Sequence, residues 1–217
     1  GIQILPPDIN KSVGTFSVEN GNIRFGLTAI KSVGRPVIQA IIEERKERGE
    51  FKHLKDFIER MGGREVNKRT IENFIKAGVF DSLGGTRKQF MMIYIQIMDQ
   101  VNQERKYSMT GQMSLFDLVD DEQKKEFEIP LPKVGEYEKE NKLAFEKEVL
   151  GVYLTGHPLE DYEEKWKKSI SRTTLDFQID DETGRSRVRD GAKEIVGGMI
   201  TNKTIKYTRN NKTMAFL

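Results

Sequence analysis

Cysteine is absent from the 217 residues of this chain, and histidine occurs only twice, at His53 and His157. Without thiols there can be no disulfide framework, no thiolate zinc site and no cysteine nucleophile, and two isolated imidazoles cannot supply an ordinary histidine-based metal cage. Any chemistry must come from carboxylates, hydroxyls, lysines or backbone. No apolar run approaches the roughly 18 residues a membrane span needs. The opening Gly-Ile-Gln-Ile-Leu-Pro-Pro lacks a charged region followed by a long apolar stretch. The expectation is a cytoplasmic protein with no membrane partner, long enough for one or two domains.

Net charge is also nearly missing, with 36 Lys plus Arg against 34 Asp plus Glu. The balance hides two opposite blocks. Arg24 to Lys106 carries 17 basic and 11 acidic residues, whereas Asp117 to Glu148 carries 6 basic and 11 acidic. A positive block can bind a phosphate backbone with little sequence preference, and the neighbouring negative block would be repelled by it. Solvated helix faces that happen to segregate by sign would look the same.

The pattern predicts mainly helical structure. Thr15 to Phe25 is the first exception: two short alternating runs flank Asn20-Gly21, a pair suited to a tight hairpin turn. From Leu27 the period becomes helical. Val37, Ile38, Ile41 and Ile42 share one face of a helix begun near Pro36 and ended by Gly49. Leu54, Phe57 and Ile58 mark a short helix before Gly62-Gly63. Ile71, Phe74 and Ile75 mark another ending at Gly78, and a longer one covers about Thr86 to Lys106. Between Tyr107 and Glu136 periodicity fails and an extended linker is expected. Helix returns from about Tyr137 to Gly151 and again around Leu159 to Lys168. Strands are expected at Glu194–Ile200, Lys203–Thr208 and Thr213–Leu217. A chain stopping inside a strand reads as a fragment of a larger protein.

Two segments share a pattern of apolar helix end, glycine turn and new helix start: Leu27 to Pro36, centred on Lys31-Ser32-Val33-Gly34-Arg35, and Ile71 to Phe80, centred on Lys76-Ala77-Gly78. This is the pattern of a helix-hairpin-helix, in which glycine turns the backbone so that free N–H groups at the next helix start face a phosphate oxygen. Lys31, Arg35 and Lys76 stand where a side chain could reinforce the contact. Such binding positions duplex DNA without reading its sequence. Each glycine alone reads more readily as a helix cap, and only the two copies in one basic block bring the two readings level; Ser32 occupies a place where a second glycine often stands.

Gln112-Met113-Ser114-Leu115-Phe116 lies in the linker, where a Leu-Phe pair has no amphipathic element around it; a partner's apolar pocket or a contact back onto its own helices would each receive it. Arg187, Arg189, Lys203, Lys206, Tyr207 and Arg209 decorate the C-terminal strands, as a single-strand groove with Tyr207 for stacking or as a solvated sheet face. Asp120-Asp121 and Asp180-Asp181 lie in a charged linker and a turn, not a rigid two-metal site, and no metal site is expected. Gly62-Gly63-Arg64 and Gly84-Gly85-Thr86-Arg87 lack the ending of a phosphate-cradling loop.

Leu5-Pro-Pro-Asp-Ile-Asn10, Ile23-Arg-Phe-Gly-Leu27 with Ile30-Lys-Ser-Val-Gly34, Ala77-Gly-Val-Phe-Asp81, Glu146-Lys-Glu-Val-Leu-Gly151 and Tyr153-Leu-Thr-Gly-His-Pro-Leu159 closely resemble the bacterial replicative DNA polymerase III alpha subunit of the DnaE type, in the family's order. The resemblance implies the end of the fingers region with its β-hairpin at 1–26, a tandem helix-hairpin-helix DNA-binding domain at 27–106 and a linker with the clamp-binding motif at 107–136. A helical connector at 137–170 and a partial OB-type β-barrel domain at 171–217 would complete the segment.

It further implies duplex DNA, the beta sliding clamp and other replicase subunits as partners, with single-stranded template possible through the OB region. Gln112, Leu115 and Phe116 match the family's Gln-led, Leu-Phe-ended clamp peptide. The nucleotidyl-transfer aspartates belong to a palm outside these residues, so the parent would use Mg2+ while this segment holds no cofactor and does not polymerise DNA alone. The competing expectation is a helix-hairpin-helix repair glycosylase or nuclease, for which Asp81 is the one nameable catalytic candidate. A purely architectural segment is a third.

Overall fold

The computed structural model describes residues 1–63, 66–109, 129–181 and 183–216. The chain divides into two compact units, Gly1–His157 and Pro158–Leu217.

The first unit opens on a small sheet. β2 (Ser17–Glu19) and β3 (Asn22–Arg24) pair antiparallel with Val18 opposite Ile23. Asn20 and Gly21 both take positive φ, 50° and 78°, the geometry that lets a two-residue turn follow the strand twist. β1 (Ile4–Leu5) adds to β3 in parallel, giving the order β1-β3-β2. Two residues carry too little alternation to announce this strand in the sequence. Arg24 fixes the sheet's inner end, donating to Glu19 Oε2 at 2.6 Å and to the Pro6 carbonyl at 2.7 Å.

Four helices follow: α1 (Arg35–Arg48), α2 (Leu54–Met61), α3 (Lys68–Ala77) and α4 (Arg87–Met109). Pro36 lies in the first turn of α1, where its missing N–H has no partner to lose, and Gly49 ends the helix at φ 80°. The terminal carbonyls of α1 are then met by a side chain from α2. Arg60 donates to the carbonyls of Glu44, Gly49 and Glu50, pairs with the Glu44 carboxylate at 3.1 Å and lies 4.3 Å over the Phe51 ring. His53 and Asn67 cap α2 and α3 by accepting the amides of Asp56 and Thr70. His53 thus has a structural task at the surface.

The core between these helices is an aromatic chain. Phe51, Phe57, Phe74, Phe80 and Phe90 are all buried, and successive rings meet edge-on or tilted at centroid distances of 5.0 to 6.5 Å. α5 (Lys139–Leu150), stopped by Gly151 at φ 79°, belongs to this unit as well. Its inward stripe of Leu143, Glu146, Val149 and Leu150 is buried, and the helix packs on α3. The sequence reading set residues 137–170 apart as a connector; the structure places 137–157 with the helical core and 158–170 in the second unit.

The second unit contains a 3-10 turn at Glu160–Tyr162, α6 (Glu163–Ser169), a second 3-10 turn at Thr174–Phe177, and an antiparallel hairpin of β4 (Thr204–Tyr207) and β5 (Thr213–Phe216). Glu194–Ile200 is not the expected strand. Gly197 and Gly198 interrupt it, Ile195 and Val196 are exposed, and among the described residues its backbone meets the amides of Ser171 and Arg172 through the Ile195 carbonyl and the Ser171 hydroxyl through the Ile195 amide, not a neighbouring strand. None of the described residues of this unit is buried, and their strands form an open hairpin, not a closed barrel. The fold is mainly α with small strands toward both ends, and no described helix is long and apolar enough to cross a membrane.

Candidate nucleic-acid interface

The two glycine bends have different surroundings. In the first, no regular helix precedes the turn: Leu27–Ala29 is a single 3-10 turn, after which Ser32 takes φ 61°. Serine therefore occupies the left-handed position that glycine would fill at lower energy. Gly34 is extended, at φ −74° and ψ 147°, and caps α1 without a side chain. Ser32, Gly34 and Arg35 are exposed and Val33 is half-buried. The backbone amides of Ser32, Val33, Gly34 and Arg35 donate to no acceptor among the described residues. A run of unoccupied donors at the positive end of a 14-residue helix is a feature that attracts an anion.

Lys31 departs from the expectation of a free cation. Its ammonium donates to the Glu148 carbonyl at 2.7 Å and its amide to the Val149 carbonyl at 2.9 Å, both at the end of α5. Its own carbonyl accepts from Asn73 Nδ2 at 2.8 Å.

The second bend is turned inward, which corrects the expectation of outward amides there. Ala77 and Gly78 are buried, and Gly78 ends α3 in the left-handed region at φ 79°. The amides of Gly78, Val79 and Asp81 donate to the carbonyls of Ile75, Phe74 and Gly78. Glycine suits this place because of its positive φ and because a Cβ here would displace the Arg87 guanidinium. Lys76 is held by Glu148 at 2.8 Å and Glu72 at 3.0 Å. Burial works against its charge, but the hydrogen bonds to these carboxylates outweigh it and raise its pKa above the ordinary lysine value. Gly78 is thus a helix cap over a packed core, because the apolar residues on both sides of it, Phe74, Ile75, Val79 and Phe80, all enter that core.

Arg87 explains the inward turn. It is 1% exposed and donates to both oxygens of Asp81, to the Lys76 carbonyl and to Glu146. Burial alone would lower its pKa, yet Asp81 and Glu146 raise it. Glu146 is equally buried and also accepts from the amides of Leu154 and Thr155 and from the Thr155 hydroxyl. Glu136 accepts from the amides of Arg87 and Lys88 at the start of α4. Asp81, the candidate of the repair-enzyme reading, is therefore an anchor for a buried guanidinium. The sequence reading missed Asn73, Arg87 and Glu146. Polar residues inside apolar helical stripes are the signal that marks them.

Gln112, Met113, Ser114, Leu115 and Phe116 lie outside the described residues. The expected single-strand residues are exposed but do not form one face. Lys206 lies opposite Met214 and Tyr207 opposite Thr213, so the two side chains alternate across the hairpin. Lys206 lies 5.4 Å from the Phe216 ring centroid, Tyr207 is 75% exposed, Lys203 and Arg209 are exposed, and Arg187 stands 3.8 Å from Asp176.

A family model described as a helix-hairpin-helix motif matches residues 1–90, which include both bends. Over all 217 residues the chain is 35% identical to a DNA polymerase III subunit alpha of Borreliella burgdorferi. It is 37% identical to that of Aquifex aeolicus over 99% of its length, and 39% identical to that of Vibrio cholerae over 79%. The chain is similar to a segment of DNA polymerase III alpha subunits. It spans between 15% and 18% of the length of these three alpha subunits. The match to the Borreliella alpha subunit runs through both compact units, and the helix-hairpin-helix match ends just inside α4.

Proposed function

We propose that this chain is the duplex-holding and clamp-tethering segment of a bacterial replicative DNA polymerase. The observation that carries the reading is the run of unoccupied amides from Ser32 to Arg35 at the start of α1, inside the region matched by the helix-hairpin-helix model. These donors and the Arg35 guanidinium grip one phosphodiester strand of newly made duplex, independent of sequence. Gln112 to Phe116 plugs its Leu-Phe end into an apolar pocket of the sliding clamp. Each contact raises the effective concentration of the other, so modest affinities give processive synthesis. Arg187, Lys203, Lys206, Tyr207 and Arg209 offer charge and one stacking ring to single-stranded template.

The parent's activity on this reading is template-directed nucleotidyl transfer, with Mg2+ held by a palm outside this chain. Other replicase subunits and a cytoplasmic setting complete the proposal. The test is titration of the chain with fluorescent duplex DNA over a range of KCl concentrations. Binding whose logarithm falls linearly with the logarithm of salt is expected; absence of duplex binding at low salt overturns the reading.

A further inference from the structure

The first bend is held from behind by two helices far away in sequence. Lys31 is the joint. Its amide donates to the Val149 carbonyl and its ammonium to the Glu148 carbonyl, while its carbonyl accepts from Asn73, a side chain only 7% exposed. Directly after this three-point fixture comes Ser32 at φ 61°, a left-handed conformation that serine adopts uncommonly. The Glu148 side chain is itself fixed by Lys76.

We propose that Asn73 and the last carbonyls of α5 are positioning elements for DNA binding, and that Lys31 serves them instead of touching phosphate. Asn73 holds the Lys31 peptide, the peptide sets the left-handed turn at Ser32, and the turn aims the amides of Val33, Gly34 and Arg35. α5, on the far side of the linker in sequence, is thereby part of the DNA-gripping element. The inference rests on the reading of the first bend as a phosphate grip.

The test uses the whole chain, a fluorescent duplex and a KCl series, with affinities corrected for the folded fraction. Lys31→Gln keeps an N–H donor for the Glu148 carbonyl and removes the charge, whereas Lys31→Met removes both. The expected result is near-unchanged affinity for Lys31→Gln and a loss of roughly threefold to tenfold for Lys31→Met, about the worth of one hydrogen bond. The salt slope stays unchanged in both. Asn73→Ala is expected to weaken binding by a similar factor and to speed hydrogen exchange at the Lys31 amide while exchange in α4 stays as it was.

A salt slope reduced by about 0.9 in Lys31→Gln would mean a direct phosphate contact and overturn the inference. Unchanged affinity and exchange in Asn73→Ala would overturn it too. Should the unaltered chain fail to bind duplex, or Arg35→Ala keep the full slope, the phosphate-grip reading falls and the inference with it. If Asn73→Ala does not fold, the two Lys31 variants, changed at an exposed side chain, still decide.

Discussion

Arg87 and Glu146, 59 residues apart in sequence, form an ion pair at 3.1 Å in which each side chain is 1% exposed. The pair joins the start of α4 to α5 and, through Lys76 and Asp81, to the Gly78 bend. Glu146→Ala leaves a buried guanidinium short of a partner, and a loss of roughly 3 to 5 kcal/mol is expected, measured by urea unfolding. Replacing both residues with apolar ones of similar volume should recover only part of that loss, since the desolvation penalty of the pair disappears but the amides of Leu154 and Thr155 and the Lys76 carbonyl lose their partners.

Phe57 touches three other rings of the aromatic chain, those of Phe51, Phe74 and Phe80. Phe57→Ala is expected to destabilise the first unit by about 3 to 5 kcal/mol, with thermal unfolding as the measurement. Phe57→Leu keeps most of the volume and should be milder.

On the acid side, Glu19 reports on the small sheet. The hydrogen bond from Arg24 holds its carboxyl below the usual range, and the charges of Arg24 and Lys11 add to the effect while desolvation opposes it. A folded pKa below the unfolded one gives stability that is present above the ordinary value near 4.5 and is lost as pH falls through the depressed value. Glu19→Gln should flatten the acid limb of a stability-against-pH curve and leave pH 7 to 9 with a constant offset. A curve parallel to that of the unaltered chain through the acid limb would remove Glu19 from the account.

In the sequence Arg35 and Lys76 look like equivalent cations, and their surroundings separate them. Arg35 is exposed beside unoccupied amides, whereas Lys76 is bound by two carboxylates. Arg35→Ala should lower the slope of duplex binding against salt by about 0.9, and Lys76→Ala should leave the slope alone. Fluorescence anisotropy over a KCl series measures both.

On the proposed clamp-binding role of Gln112 to Phe116, Leu115→Ala combined with Phe116→Ala is expected to abolish calorimetric binding to the sliding clamp and to leave duplex affinity unchanged. Undiminished clamp binding would remove this peptide from the role.

Short-range patterning made most of the first unit legible. Asn20-Gly21 supplied both positive φ angles, Pro36 and Gly49 bracketed α1, and the spacing of Phe74, Ile75 and Gly78 marked the end of α3. What escaped was set by contacts distant in sequence. Gly78 looks the same in sequence whether it faces water or protein; Arg87 at the start of α4, itself paired with Glu146 of α5, is what covers it. Lys31 reads as a free cation until α5 returns more than a hundred residues later. β1 was invisible because two residues have no period, and Glu194–Ile200 read as a strand because β-branched residues promise a pleated surface that its paired glycines do not deliver.

The open β4–β5 hairpin bears on how the molecule behaves in a tube. Each of its strands has an outer row of peptide groups with no neighbouring strand among the described residues, and Ile205, Tyr207 and Phe216 lie exposed on it. Such a ribbon recruits other strands, so concentrated samples should self-associate through this end first, and a lysine placed at Ile205 should keep them monodisperse.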